Sequence, residues 1–391
     1  MSETTDAPVI TGADPASFPH SVLADRHPAL IRRVRDAFPY GPEQHRALDA
    51  LLKSAVEGTV EALDGDAWWD AWGVAEYVGR SWFEVPFLWS ESYFYRRLLH
   101  AVGYFGGPPW SAPWQGVDPF RPFKLAELGG PEAREEIAAL DRLAGLTEAE
   151  QRTALLHGSL WGNRADLGFR LQRAGDHDDD ADGAGAGELV ADDGDVLWRL
   201  LPGAGTLLLV ADNAGCELVP DLLLVDHLLR HGHVERAVLH VKPYPYYVSD
   251  ATTADVVDAV RHLAAAGTEH GRRLWSALAD GRLALRAHPF SCGPLPYAEM
   301  PDDLRAEFAA ADVTVMKGDL NYRRLVGDRM YPPTTPYRDT TAYFPGPVAA
   351  LRTLKSDVIT GLAPDTEARL VAAEGQRWRT SGTHALIQVR T

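Results

Sequence analysis

The sequence has few cysteines, no excess of positive charge and no long apolar run, and each absence excludes a class of protein. Only two of the 391 residues are cysteines, Cys216 and Cys292, which excludes a disulfide framework. The formal net charge is -17, whereas a general nucleic-acid binder needs a basic surface. No apolar stretch of about 18 residues is present to cross a membrane, and the polar N-terminus lacks the apolar segment of a signal peptide. We therefore expect a cytoplasmic protein without nucleic-acid or membrane partners.

The first half of the chain is predicted to be helical. Residues 1–20 are interpreted as a flexible tail and residues 21–170 as a helical N-terminal region, because apolar residues recur at three- and four-residue spacings, as in SYFYRRLLHAVGYF. Residues 171–194 include the acidic, glycine-rich run AGDHDDDADGAGAG. This run lacks the alternation and the terminal Glu of a calcium loop, so it is predicted to be a solvated loop.

In residues 195–391, short apolar runs alternate with helical patterns. The predicted strands are residues 206–212, 236–242, 282–290, 313–319 and 385–390, and the predicted helices are residues 216–232 and 250–267. Continuous apolar strands that alternate with helices are typical of a parallel sheet covered on both faces. The predicted fold class is therefore α/β, a Rossmann-like three-layer αβα sandwich that follows a helical N-terminal region.

Polar residues follow the first two predicted strands of this sheet. Asp212 and Asn213 end the first strand, and Asp250 follows the second. Ligands collect at the carboxyl ends of parallel strands, and carboxylate and amide oxygens suit Mg²⁺ or Mn²⁺. Gly215 allows a tight turn into a helix whose N-terminus would face an anion. Asp and Asn are equally typical of helix caps, so spacing alone leaves both interpretations open.

Charges of both signs follow the fourth predicted strand, from Lys317 to Arg324. These cations could bind a phosphate, and the alternative is a surface cluster of salt bridges. By itself, the pair at Arg352 and Lys355 predicts no more than a solvated helix start. No Gly-x-Gly-x-x-Gly turn, P-loop or Gly-x-Ser-x-Gly elbow is present, which argues against a dinucleotide-binding protein, a P-loop NTPase and a serine hydrolase.

Taken together, these segments resemble the damage-control phosphatase family. The matching motifs are WSESYFYRRL (89–98), SLWGNRADL (159–167), DNAGCELVPDLLLVDHLL (212–229), YYVSDATTAD (246–255), KGDLNYRRLVGDR (317–329) and LRTLKSD (351–357). The Arg-Thr-x-Lys element at 352–355 resembles the signature of one branch, which includes an acidic-residue methyltransferase homologue and fungal sugar-phosphate phosphatases. The Pro- and Tyr-rich segment at residues 242–247 departs from the family and predicts a reshaped substrate pocket.

The resemblance implies a metal-dependent phosphatase that hydrolyses small phosphomonoesters, sugar phosphates such as fructose 1-phosphate or damaged phosphometabolites, with Mn²⁺, Co²⁺, Ni²⁺ or Mg²⁺. The implied catalytic residues and metal ligands are Asp212, Asn213 and Asp250. The implied substrate-binding residues are Asp319, Leu320, Asn321, Tyr322, Arg323, Lys355 and Glu217. Lys317 is added to them because it stands at the end of the fourth predicted strand. Two further motif positions near the site are Asn163 and Asp166.

Two alternatives to a phosphatase remain at this point. The first is an S-adenosylmethionine-dependent protein carboxyl methyltransferase, although such enzymes usually have a Gly-rich turn where Asp212 and Asn213 stand. The second is a non-catalytic protein that binds a phosphometabolite, although all three implied metal ligands are present. The physiological substrate and the oligomeric state are not predicted.

Overall fold

The structure, a computed structural model, describes residues 7–63, 65–162 and 188–391. Its N-terminal half is helical, as predicted. Helix α1 (Phe18–Ser21) continues through a π-helical turn (Val22–Arg26) into α2 (His27–Ala37). The helices that follow are α3 (Pro42–Glu57), α4 (Ala67–Ala71), α5 (Val74–Tyr77), α6 (Phe87–Val102), α7 (Arg121–Leu128), α8 (Pro131–Ala138), α9 (Leu140–Ala144) and α10 (Glu148–Trp161). Among the described residues, no helix is long and apolar enough to cross a membrane.

The C-terminal half contains a seven-stranded sheet, counted over the described ranges. Its strands are β1 (Glu188–Asp192), β2 (Ala204–Val210), β3 (Val234–Val241), β4 (Leu283–Ala287), β5 (Val313–Lys317), β6 (Val348–Thr353) and β7 (His384–Arg390). They lie in the order β1-β7-β6-β5-β2-β3-β4. Neighbouring strands are parallel except β6 and β7, so the sheet is mixed where the sequence predicted a parallel one.

Helices cover both faces of this sheet. They are α11 (Gly194–Leu200), α12 (Leu218–Arg230), α13 (Thr253–Ala265), α14 (Glu269–Asp280), α15 (Asp302–Ala309), α16 (Gly318–Val326), α17 (Tyr337–Thr340) and α18 (Pro364–Glu374). Along β2, Leu207 and Leu209 join a core with Leu222 of α12, whereas Leu208 joins a separate core with Phe308 of α15. This alternation follows from the two-residue period of a strand. The predicted αβα sandwich is confirmed.

Three local predictions differ from the structure. Strand β1 lies inside the predicted acidic loop, because Leu189 and its neighbours pair with β7. The predicted tail is anchored from residue 7 onward, since Ile10 is buried and accepts a hydrogen bond from the Phe87 backbone N–H. At the predicted helix start, residues 352–355, Arg352 and Thr353 instead end β6, whose side chains are buried, and no helix begins there.

The order of the strands sets the place of the site. Strands β2, β5 and β6 are neighbours and run in the same direction. Their carboxyl ends therefore share one edge of the sheet, which is where a ligand binds in open α/β folds. The chain segments after Val210, Lys317 and Thr353 meet at this edge.

Candidate metal and phosphate site

The three predicted metal ligands lie together at the carboxyl edge of β2 and β3. The Ala251 N–H donates to the Asp212 carbonyl at 2.9 Å, and the Ala214 N–H donates to the Ser249 carbonyl at 2.6 Å. These bonds bracket an isolated bridge between Asn213 and Asp250. The loop after β3 is thus paired with the end of β2, which brings two residues far apart in sequence next to each other.

The Asn213 amide connects its neighbours. Its Nδ2 donates to Glu217 Oε2 at 3.0 Å and to Asp212 Oδ2 at 3.3 Å. Its Oδ1 accepts a hydrogen bond from Ser249 Oγ at 2.7 Å. The amide is fixed on both sides, so Glu217 belongs to the same polar cluster as the predicted ligands.

Asp250 is held by two buried lysines that the sequence analysis did not identify. Lys242 Nζ lies 3.4 Å from Asp250 Oδ2, and Lys124 Nζ donates to the Asp250 carbonyl at 2.9 Å. Lys124 also pairs with Asp118 and Asp255. Because Lys124 belongs to α7, the helical half of the chain contacts this ligand candidate directly. No sequence signal connects residues 126 positions apart.

The two carboxylates at this site are costly to ionise together. Burial is the main cause that raises the pKa of Asp212 well above its usual range, and Asp250 and Glu217 raise it further against the opposing charges of Lys355 and Lys317. Burial also raises the pKa of Asp250, opposed by Lys242 and Lys124. A further cation between the carboxylates would relieve this repulsion.

These residues fit a hard divalent cation. In the described part of the chain, no group of three or more His, Cys, Asp or Glu side chains is arranged to hold a metal, and the candidate set here consists of two carboxylates and one amide. Asp250 Oδ2 is buried and has no hydrogen-bond partner, although it lies near Lys242. Two carboxylates and an amide oxygen are ligands that Mg²⁺ and Mn²⁺ accept, with water completing the shell.

Gly318, at the start of α16, lies so close to Asp212 that no side chain would fit at position 318. Its φ is 84°, and a Cβ built on it would lie 1.9 Å from Asp212 Oδ2. Only glycine combines that conformation with that contact. The Lys317–Gly318 turn therefore packs directly on the predicted ligand.

A narrow cleft with a free volume of about 20 Å³, partly open to solvent, lies at these strand ends. The predicted site residues that line it are Asp212, Asn213, Glu217, Lys317 and Lys355. The sequence analysis assigned no role to its other lining residues, which are Ser159, Leu160, Trp161, Asp221, Gly318, Leu351 and Thr353. An available signal for Asp221 was an acidic residue in the otherwise apolar run LVPDLLLV.

Lys317 is a buried, paired cation. Its Nζ lies 3.1 Å from Asp221 Oδ1 and donates to the Ser159 carbonyl, and Ser159 Oγ donates to Asp221 Oδ1 at 2.5 Å. Lys317 is 6% exposed, so the alternative of a surface salt-bridge cluster is wrong for it. Its charge faces the cleft from a fixed position.

Asp319 is held by Arg352 rather than by solvent. Arg352 Nε donates to Asp319 Oδ1 at 2.8 Å, and the same oxygen accepts hydrogen bonds from Ser356 Oγ at 3.2 Å and from the Lys355 backbone N–H at 3.4 Å. Burial opposes ionisation, but Arg352, Arg323 and Lys355 nevertheless lower the pKa of Asp319. Asp319 is thereby kept ionised beside the turn that carries Lys355.

Five predicted substrate contacts, Asp319 and the four residues that follow it, do not line the cleft. Leu320 packs in a small apolar cluster with Leu88, Tyr246 and Cys292. Asn321 is fully buried, and its Nδ2 donates to the Ala211 and Lys317 carbonyls at 3.0 and 2.7 Å. These contacts tie α16 to the ends of β2 and β5, so they support the framework of the site.

Tyr322 and Arg323 are also engaged within the protein. The Tyr322 hydroxyl bonds Gln388 Oε1 and Thr360 Oγ1, each at 3.0 Å. Arg323 pairs with Asp328 at 2.6 Å and is 4% exposed. We therefore assign both to the framework, and their predicted contact with substrate gains no support from these positions. The positions predicted at Asn163 and Asp166, and the acidic run at 174–187, lie outside the described residues.

The fold and the cleft are typical of α/β enzymes that act on small charged ligands at the strand ends. The sequence model of the damage-control phosphatase ARMT1-like domain matches residues 22–370. The chain therefore belongs to the ARMT1-like damage-control phosphatase family, and the predictions of that family and of a phosphatase are confirmed. The family is in general metal-dependent.

Several relatives carry the name damage-control phosphatase ARMT1. The Danio rerio protein is 28% identical, covering 95% of this chain and 94% of its own. The Mus musculus protein is 32% identical over 78% of this chain and 74% of its own, and the Homo sapiens protein is 27% identical over 97% of each. Among solved structures, a DUF89 family protein from Pyrococcus horikoshii has a TM-score of 0.47 and 16% identity, covering 88% of this chain and 91% of that chain.

Proposed function

We propose that this protein is a phosphomonoesterase that uses a divalent cation to hydrolyse sugar phosphates, such as fructose 1-phosphate, or related damaged phosphometabolites. The observation that carries the proposal is the proximity of two carboxylates, the partly exposed Asp212 and the buried Asp250, beside a cleft with lysines on its wall. An acidic pair suits a metal, and lysines suit a phosphate. Family membership supports the reaction class, and the substrate class is our inference from the branch signature.

Asp212, Asn213 and Asp250 would hold the cation, with Mn²⁺, Co²⁺, Ni²⁺ or Mg²⁺ as candidates. When bound, a divalent cation supplies charge neutralisation at the phosphate oxygens. Asp212 lines the cleft, whereas Asp250 is 3% exposed and does not. Asp212 is therefore the better candidate to orient the attacking water or to attack phosphorus itself, and Asp250 the better candidate for a purely structural ligand.

Lys355 is the candidate hydrogen-bond donor to the substrate's phosphate. It lines the cleft, and its charge lowers the pKa of Asp212, so the ammonium lies close to the proposed metal site. Lys317 is committed to Asp221 and Ser159 and contributes a fixed charge rather than a free donor. Asp319, kept ionised by Arg352, does not line the cleft itself but adjoins two residues that do, Gly318 in sequence and Lys355 through its backbone N–H, and from there would accept a hydrogen bond from a substrate hydroxyl. This division of roles suits a hydroxylated phosphate ester.

The experiment is phosphate release from a panel of sugar phosphates and an aryl phosphate, with and without Mn²⁺ and with a chelator. We expect activity that chelator abolishes, that added Mn²⁺ restores, and that Asp212→Asn reduces by at least about 100-fold. The matched control is Asp280→Asn, since Asp280 is exposed and pairs only with Arg282 among the described residues. Metal-loaded protein that releases no phosphate from any of these esters would contradict the proposal.

The same preparation tests both alternatives. Calorimetric titration with S-adenosylmethionine would reveal a methyltransferase, and no feature of the cleft favours one, because Asp212 and Asn213 occupy the turn after β2. Tight binding of a sugar phosphate to the metal-loaded protein without turnover would instead indicate a binding protein. A cytoplasmic location remains part of the proposal and is checked by fractionating cells that produce the tagged protein.

A further inference from the structure

The Pro- and Tyr-rich segment that follows β3, residues 242–247, faces α6 and not the cleft. Tyr247 stacks on Tyr95 of α6, with ring centroids 4.6 Å apart, and its hydroxyl donates to Glu91 Oε2 at 3.1 Å. The Tyr246 hydroxyl donates to Ser92 Oγ at 2.5 Å. No residue of the segment lines the cleft, so the prediction that it reshapes the pocket has no support. Its tyrosines instead attach the loop of Asp250 to the helical half.

Tyr247 has an unusual backbone conformation for a residue other than glycine. Its φ is 49°, and in the described part of the chain only Asp328, at 48°, shares a positive φ outside glycine. A residue other than glycine is strained at positive φ, and it keeps this backbone conformation only where surrounding contacts impose it. Tyr247 lies three residues before Asp250, so this turn sets the direction in which the chain reaches the proposed metal ligand.

The contacts of Tyr247 and Asp328 converge on one buried ion network. Arg323 Nε donates to Asp328 Oδ1 at 2.6 Å, and Arg323 Nη1 lies 3.4 Å from Glu91 Oε2, the same oxygen that accepts the Tyr247 hydroxyl. Glu91 is 8% exposed and Arg323 4%. Both strained residues are thus tied to the Glu91–Arg323 pair, one at each end.

We propose that Glu91 and Tyr247 are positioning residues for the metal centre: their hydrogen bond, anchored by Arg323, holds residues 247–250 in the turn that places Asp250 beside Asn213. This inference rests on the proposed metal site but assigns new residues to it. Neither side chain touches the cleft, and both act through the backbone that leads to Asp250. The helical half thereby fixes the geometry of a ligand that belongs to the α/β half.

The test measures Mn²⁺ affinity directly, by calorimetry on the full-length protein freed of metal. Tyr247→Phe keeps the ring that stacks on Tyr95 and removes only the hydroxyl, and Glu91→Gln removes the charge that faces Arg323. Loss of a group that orients a ligand typically costs about tenfold in metal affinity, and we expect each variant to weaken Mn²⁺ binding by about that factor. The matched control is Tyr40→Phe, because the Tyr40 hydroxyl is buried in the helical half without a hydrogen-bond partner there.

A double variant separates positioning from general loosening. If Glu91 and Tyr247 act through one hydrogen bond, the Glu91→Gln/Tyr247→Phe protein should bind Mn²⁺ about as weakly as the weaker single variant, and excess Mn²⁺ should restore most of the kcat. A purely structural role would lower the melting temperature of all the metal-free variants and leave the Mn²⁺ Kd unchanged.

Each outcome decides the matter. If either single variant binds Mn²⁺ within about twofold of the wild type, or if the two effects simply multiply, the inference is wrong while the proposed function stands. If the wild type binds Mn²⁺ but hydrolyses no phosphate ester, the proposed function fails, and the Kd values still test the positioning role. If the wild type binds no divalent metal, both are overturned.

Discussion

A single methyl group at Gly318 should disable the proposed metal site. A Cβ at this position would lie 1.9 Å from Asp212 Oδ2 and 2.0 Å from Asp212 Cγ, well inside van der Waals contact. The methyl cannot move, because it is attached to the backbone at the start of α16. In Gly318→Ala the Asp212 carboxylate must therefore leave its position, or the turn after β5 must shift.

Two costs can be separated in this variant. The first is backbone strain, since alanine in the left-handed conformation at φ 84° costs about 1–2 kcal/mol relative to glycine. The second is displacement of a proposed ligand, which should weaken Mn²⁺ binding by at least about 100-fold, or about 2.8 kcal/mol. The fall in kcat/KM at limiting Mn²⁺ should be at least as large, because Asp212 also lines the cleft.

The chain offers a matched control in Gly79. Its φ is also 84°, but a Cβ there meets nothing within 4 Å. Gly79→Ala should carry the same strain and leave Mn²⁺ binding unchanged. Calorimetric titration with Mn²⁺ and urea unfolding of both variants give the two quantities. If Gly318→Ala binds Mn²⁺ as tightly as Gly79→Ala does, the assignment of Asp212 as a ligand is refuted.

Three further predictions test the framework around the site. Tyr322→Phe leaves two buried hydrogen-bond partners unsatisfied, so urea unfolding should show the free energy of unfolding reduced by about 1–3 kcal/mol, while KM stays unchanged. A raised KM in a variant of unchanged stability would instead indicate that Tyr322 contacts substrate. Lys124→Met leaves the buried Asp118 and Asp255 carboxylates without their cation and should cost about 3–5 kcal/mol in the same assay, while a cost below about 1 kcal/mol would refute the buried pairing. Burial lowers the pKa of His240 to about 3, so near pH 6.5 this histidine takes up a proton in the unfolded chain but not in the folded one. The free energy of unfolding should therefore fall from pH 7 to pH 5. If His240→Gln leaves the slope of this free energy against pH unchanged, the prediction is contradicted.

Local sequence pattern predicted β2, β3, β4, β5 and β7 from their short apolar runs, and missed β1 and β6. Strand β2 was predicted because TLLLV is buried on both faces of the sheet. Strand β6, VAALRT, was missed because Arg352 suggested an exposed segment. Arg352 is in fact fully buried, with its guanidinium 4.3 Å from the Tyr322 ring centre and paired with Asp319. A charge whose partner lies elsewhere in the chain cannot be recognised as buried from its neighbours in sequence.

The site was predicted to the extent that it follows from strand ends. Residues directly after β2 and β5 were identified because parallel strands deliver them to one edge. Lys124, which contacts Asp250, and Glu91, which contacts Tyr247, were not identified, because both come from helices whose place against the sheet is set by long-range packing. The substrate contacts predicted from Leu320 to Arg323 remain predictions, because motif membership does not distinguish a side chain that contacts substrate from one that anchors α16.

The contacts around Asp250 also bear on the predicted boundary at residue 195. Lys124 Nζ donates to the Asp250 carbonyl, and Glu91 accepts from Tyr247, so two helices of the N-terminal half reach the same loop. Each contact is buried, and a buried lysine or carboxylate is stable only with its partner in place. A loop with a residue at φ 49° depends on such contacts to keep its conformation. The boundary at residue 195 therefore separates two patterns of secondary structure, but the proposed metal centre requires both halves of the chain.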